Sequence, residues 1–168
     1  MFKNYTQRVM AAQNKKLKKP NIEINNRKAK FDYEFLETYV CGIVLLGTEI
    51  KSIRDGKASL VDTYCYVNNG ELWMKNSYIA KYEHGSWTNH EERRERKLLA
   101  NKKEIEKMRK AAEQPSVTIV PIKMFINERG FCKVLVAVAR GKRQFDKRES
   151  IKLSDAKRDL DRAMKSFS

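Results

Sequence analysis

Between residues 31 and 139, apolar and polar positions alternate along most of the chain, with glycine and asparagine turns at intervals that suit short strands. Phe31 to Tyr39 alternates as a half-buried strand, with Phe31, Tyr33 and Phe35 on one side and Asp32, Glu34 and Leu36 on the other. The run continues through Gly42, a place for a bend, to Leu46. Leu60 to Val67, rich in Val, Thr and Tyr, is a strand. Asn68-Asn69-Gly70 turns it, and Glu71 to Ile79 returns as its partner, with Trp73 and Tyr78 as packing residues. Val117 to Ile126 and Phe131 to Ala139 form a second hairpin around Asn127-Glu128-Arg129-Gly130, and Pro121 marks an edge or a bulge.

Three stretches carry helical spacing. Gly47-Thr48-Glu49 breaks the first strand, with Thr48 as N-cap and Glu49 at the positive end of a short helix. Ile50 and Ile53 give this helix an apolar side, Lys51, Arg54 and Lys57 form a cationic row, and Asp55-Gly56 closes it. Asn89 to Gln114 is expected to be helical, as one helix or two. Asn89 and Glu92 make a capping box, Leu98, Ile105, Met108 and Ala112 one face, and Glu92–Arg96 and Glu106–Lys110 spaced pairs. A last helix is expected from Ser154, with Leu153, Ala156, Leu160, Met164 and Phe167 as its apolar stripe.

Five or six short strands, one short helix between them and a helical insertion before the last hairpin predict a mainly β protein built on a small closed antiparallel barrel. The OB-fold is the favoured version; an SH3-like barrel or a split α+β sheet fits the pattern nearly as well. Residues 1–25 are expected to form a basic flexible arm, 26–139 the body, and 140–168 a basic tail.

Composition sharpens this picture through the placement of charge. The net charge is +15, of which residues 1–30 carry +8, residues 140–168 carry +5, and the span between them only +2. Cationic ends on a nearly neutral body suit contact with a polyanion, because Lys and Arg displace counterions from phosphates. No apolar run approaches the length that spans a bilayer, and residues 1–20 lack the apolar stretch of a secretory signal. Cys41, Cys65 and Cys132 are widely separated and lie in strand-like runs, as buried apolar residues of a reducing compartment do. A metal site would need His84 or His90 beside cysteines that lack ligand spacing, so no metal and no cofactor is expected.

No P-loop, dinucleotide fingerprint, zinc-protease helix or nucleophile elbow is present, so an enzyme is not expected. His90 beside Glu91 and Glu92 is the only pattern suggesting acid–base chemistry, and a nuclease built on it is the minor reading. Binding residues carry the function instead: Arg27, Lys28, Lys51, Arg54, Lys57 and Arg94 for phosphates, Phe31 and His90 for stacking on exposed bases.

GTEIKSIRDGKASLVD resembles the signature block of the SsrA-binding proteins (small protein B, SmpB), partners of transfer-messenger RNA in bacteria. NNRKAKFDY before it, HEERRERKLLANKKEIEK after it and ARGKRQFDKRES near the end resemble that family's other blocks, in the same order. The resemblance implies an OB barrel with packed helices that grips the elbow of a transfer-RNA-like domain. It adds Asn26, Glu49, Asn89, Arg96 and Lys97 to the RNA-binding set. It also implies that Gly141, Lys142, Arg143, Phe145, Asp146, Lys147 and Arg148 belong to a tail that enters the ribosomal decoding centre and messenger channel and orders there. A monomer in the bacterial cytoplasm follows, with the elongation factor that carries aminoacyl-tRNA as an indirect partner and no membrane. The alternative is a general ribosome-associated RNA chaperone of OB type. Three departures stand out: Val40 and Cys41 replace the family's Glu-Ala, Phe31 replaces a frequent His, and Glu92 replaces a Pro, which suggests an earlier helix start.

Overall fold

The computed structural model describes residues 22–85 and 89–142, together with positions 151–152, 155–156, 158–160, 162 and 164. Within these, strands β1 (Glu23–Asn25), β2 (Tyr33–Ile43), β4 (Tyr64–Asn68), β5 (Glu71–Lys75), β7 (Arg96–Leu99), β8 (Val117–Ile126) and β9 (Cys132–Gly141) form one antiparallel sheet. Its order is β1-β8-β4-β5-β7-β2-β9, and β8 also pairs with β9. That last pairing returns the sheet to its start, so six strands enclose a barrel and β1 adds an outer edge to β8. Closure satisfies backbone groups that an open edge would leave unpaired. Strands β3 (Ala58–Ser59) and β6 (Tyr78–Ile79) make a separate small ladder. The helices of the body are α1 (Arg27–Asp32), α2 (Gly47–Arg54) and α3 (Lys102–Ala112).

Both expected hairpins are present for the expected reasons. Asn69 and Gly70 take φ of +50° and +74°, the turn whose twist matches paired strands, and Asn68 pairs with Glu71 across it. In the β8–β9 turn Gly130 has φ of +85°, and the register slips after Pro121, which is a bulge rather than an edge.

The interior is filled by alternate residues, among them Cys41, Cys65, Leu72, Met74, Leu98, Val134, Val136 and Val138, with Ile105 and Met108 of α3 packed against them. Full burial of side chains like Leu72 or Met74 is worth roughly 1.5–3 kcal/mol each. The three cysteines are free and buried, as expected. Loss of hydration raises the Cys41 thiol to about 11 and the Cys132 thiol to about 12, and pushes Cys65 further in the same direction. A second, smaller core lies on the opposite face of β9, where Ala29 of α1 packs with Val120, Ala137 and Ala139. The register shift at Leu36 allows this arrangement: Tyr33 and Phe35 join the outer cluster, whereas Tyr39 and Ile43 face the barrel interior.

Several expected elements are corrected. Phe31 lies in the last turn of α1 instead of opening the strand, because Asn26 caps a helix there by accepting from the Ala29 N–H at 3.0 Å. Residues 23–25, assigned to the flexible arm, pair in register with Phe125, Met124 and Lys123. The strand expected from Glu71 to Ile79 breaks at Asn76, which has φ of +64°. The largest correction concerns 89–114: residues 89–95 are not helical, Arg96–Leu99 is strand β7, and only Lys102–Ala112 is helix. The capping residue is Asn101, whose N–H donates to Glu104 at 3.0 Å, in place of Asn89 and Glu92. Pairing of β7 with both β5 and β2 outweighs the helical propensity of the Glu-Arg-Lys run.

The tail boundary moves as well. Gly141 pairs with Tyr33, and the Lys142 N–H donates to Asp32 O at 2.9 Å, so both residues belong to the body. Beyond them, the described positions from 151 to 164 are helical and exposed, including Leu160 and Met164 of the expected stripe. Helix thus begins before Ser154, which itself lies, like Leu153 and Phe167, outside the described residues.

Candidate nucleic-acid interface

Helix α2 is organised from below by a buried carboxylate. The Leu46 N–H donates to Glu49 Oε2 at 2.7 Å, so Glu49 caps the helix start and Thr48, one position before it, does not. The C-terminus ends as expected: Gly56 takes φ of +72° and the Lys57 N–H reaches Ser52 O at 2.9 Å. Ser52 and Ile53 face inward, which turns Lys51 and Arg54 out to solvent and leaves Lys57, just past the turn, exposed as well.

Three contacts clamp this helix to the segment from Tyr82 to Arg96. The Thr48 hydroxyl and His90 Nδ1 are hydrogen-bonded at 2.9 Å, and His90 Nε2 donates to Ile79 O at 3.2 Å. Glu49 receives Arg94 through two bonds at 2.8 and 2.6 Å, and Arg96 Nε at 2.9 Å. Lys51 Nζ sits 5.1 Å above the Tyr82 ring, and Tyr82 O accepts from Asn89 Nδ2 at 2.9 Å. Gly85 is required in this loop, since a Cβ there would lie 2.7 Å from Asn89 Nδ2 and 2.9 Å from Tyr82 O.

Neither Glu49 nor Arg96 is solvent-exposed. Arg96 spends its remaining donors on Ser77 O, Ser77 Oγ, Arg94 O and Glu92 O, at 2.8 to 3.1 Å. Burial pulls the Glu49 carboxyl upward, but the Arg94 hydrogen bonds, the Leu46 N–H and the two guanidinium charges outweigh it. Glu49 is therefore held below the usual carboxylate range. At Arg96 burial wins instead and draws the guanidinium below its ordinary value against the pull of Glu49.

The residues expected to touch RNA thus divide into two groups. Asn26, Glu49, His90 and Arg96 are buried, with their polar atoms bonded inside the frame. Asn26 donates to Leu60 O at 2.8 Å and Pro121 O at 3.1 Å, and both His90 nitrogens are engaged, which removes His90 as a stacking surface. Asn89 is half-buried and likewise bonded within its loop. Arg27, Lys28, Phe31, Lys51, Arg54 and Lys57 are exposed, and Arg94 and Lys97 are partly so. Lys28 pairs with Asp62 at 2.7 Å, Lys57 with Glu83 and Lys97 with Glu71. Arg27, Lys51 and Arg54 make no ion pair among the described residues, so their charge faces outward uncancelled. Arg143, Phe145, Asp146, Lys147 and Arg148 lie outside the described residues. Sequence reasoning missed Ser77 and Thr48 as partners of the frame. Their only signal was the need of Arg96 and His90 for buried acceptors and donors.

Among the described residues no group of three or more His, Cys, Asp or Glu stands where it would hold a metal, and no helix is long and apolar enough to cross a membrane. Val40, which stands where the resembled family has Glu, is an exposed apolar residue on β2.

A closed antiparallel barrel bearing an outward cationic helix, clamped from within, is a barrel of the OB type. Comparison with known proteins narrows this class. The SmpB protein family matches residues 23–166, and the chain belongs to that family. It is 60% identical over 149 residues to the SsrA-binding protein of Phocaeicola vulgatus, covering 89% of this chain and 99% of the relative. The SsrA-binding protein of Bacteroides thetaiotaomicron is 58% identical with the same coverage. A solved structure described as "tmRNA-SmpB: a journey to the center of the bacterial ribosome" is 46% identical. It has a TM-score of 0.64 and covers 77% of this chain and 94% of its own.

Proposed function

We propose that this chain is an adaptor of trans-translation. It binds the transfer-RNA-like domain of transfer-messenger RNA, promotes its delivery to stalled ribosomes, and sets its tail in the decoding centre and messenger channel. The observation that carries this reading is the clamp of Thr48, Glu49 and Lys51 onto His90, Arg94, Arg96 and Tyr82. It joins α2 with Tyr82 and residues 89–97 in one surface whose exposed members include Lys51 and Arg54, cations without a carboxylate partner among the described residues. A rigid cationic surface recognises a folded RNA by its contour, because phosphate positions are set by the fold of the RNA and not by its sequence. Family membership and the likeness to the solved tmRNA-SmpB structure support the choice of RNA.

The chain performs no chemistry of its own in this reading. It acts as a monomer in the bacterial cytoplasm and meets the elongation factor that carries aminoacyl-tRNA through the shared RNA. The tail does separate work: an exposed helix bearing Leu160 and Met164 on one stripe orders against ribosomal RNA, with ordering offset by phosphate contacts.

Because Gly141 and Lys142 are bonded into the body, the informative deletion begins at residue 143. Removing 143–168 is expected to leave affinity for the transfer-RNA-like domain nearly unchanged, measured by filter binding, and to abolish tagging on stalled ribosomes. Loss of RNA affinity in the truncated chain would sink the division of labour. Equal affinity of the full chain for unrelated folded RNA would favour a general RNA chaperone.

A further inference from the structure

Phe131 is the most exposed large apolar residue of the barrel, 64% accessible to solvent, at the tip of the β8–β9 hairpin. Its placement is built. The Phe131 N–H donates to Asn127 Oδ1 at 2.8 Å, Phe131 O accepts from the Asn127 N–H at 2.9 Å, and the Gly130 N–H donates to Asn127 O at 2.9 Å. Gly130, at φ of +85°, closes a tip that other residues would strain. An aromatic ring is thereby held out in water by a locked backbone, at a position where a polar residue would be expected.

The hairpin tip also touches the cationic helix. Arg54 Nη2 lies 3.5 Å from Gly130 O, the residue before Phe131. Arg129 in the same tip is exposed and, like Arg54 and Lys51, has no carboxylate partner among the described residues. Glu128 is the one acid of the turn. Aromatic faces beside cations are how proteins hold unpaired nucleotides: the base stacks on the ring while the charges take the phosphate.

We propose that Phe131 is a stacking post for one unpaired base of the RNA held by the α2 cationic row. Arg54 and Arg129 engage the phosphates on either side of that base. This rests on the proposed function above and adds to it a second element, the hairpin tip, together with the chemical class of its ligand. Stacking on any base is sequence-tolerant, so the post reads whether a nucleotide is free of its partner and not which nucleotide it is.

The test uses the full chain with the transfer-RNA-like domain of transfer-messenger RNA. Phe131→Leu keeps apolar volume but removes the aromatic face, and is expected to weaken binding by roughly 5- to 150-fold. Phe131→Trp is expected to retain or tighten it. Both variants should unfold at the wild-type temperature, because the ring is not part of the core. A photoreactive benzoylphenylalanine at position 131 should cross-link to a nucleotide that is unpaired in the free RNA. Wild-type affinity in Phe131→Leu, or cross-linking confined to duplex nucleotides, overturns the proposal. If the Lys51→Ala, Arg54→Ala double variant loses binding while Phe131→Leu does not, the stacking post falls and the adaptor reading stands. If the wild-type chain itself fails to bind this RNA, both fall.

Discussion

Arg96 Nε and Glu49 Oε1 meet at 2.9 Å, with neither side chain exposed to solvent, across 47 positions of chain. A buried pair of this kind is a costly way to hold two elements together, and hydrophobic replacements are often no less stable. What it supplies here is a fixed distance between α2 and β7. Arg94, bound to the same carboxylate in bidentate fashion, is held partly exposed at the edge of the cationic surface.

Glu49→Gln would leave the Arg96 guanidinium buried without a counter-charge. The expected loss of stability is about 3–5 kcal/mol, the usual consequence of breaking one side of a buried pair. Urea denaturation at neutral pH measures it. The pH dependence identifies the carboxylate. The Glu49 carboxyl titrates lower in the folded chain than in the unfolded one, so its contribution is fully present above the unfolded carboxylate value of about 4.3. It is lost as pH falls from there through the folded value. The acid limb of the wild-type stability curve should therefore be steeper than that of Glu49→Gln, and parallel limbs would contradict the assignment.

Asn26 was expected to touch RNA, yet its amide ties α1 to the Leu60 and Pro121 carbonyls and caps the helix. Asn26→Ala should cost roughly 2–4 kcal/mol, combining a lost cap with unsatisfied buried carbonyls. The salt dependence of RNA binding should keep its slope, because no phosphate contact is removed. A thermally normal variant with a shallower slope would restore Asn26 as a contact.

Lys51→Ala combined with Arg54→Ala should do the reverse. Both side chains are exposed and outside the core, so the unfolding temperature should shift little. Binding to transfer-messenger RNA should weaken, and the slope of log affinity against log salt should fall by about two units, one per phosphate contact. An unchanged slope would move the RNA surface elsewhere on the barrel.

Much of the barrel follows from local chemistry. Asn69-Gly70 and Asn127 to Gly130 specify their turns through positive φ and short-range hydrogen bonds. The β9 run Val134, Val136 and Val138 specifies its buried face by period alone, and Gly56 ends α2 wherever that helix is placed. The exposed cations of α2 are likewise legible, since their three-residue spacing opposite Ile53 needs no tertiary information.

Long-range pairing decided the rest. Residues 89–99 carry helix formers and opposite charges at helical spacing, so local preference points to a helix. Pairing of Leu98 with Leu72 and Ile43, distant in the chain, makes strand instead. Whether an Arg or a His faces solvent or the core is invisible in sequence, because a charged side chain is buried only where a partner awaits it. For Arg96 that partner is Glu49, for His90 it is Thr48, and folding alone brings each pair together.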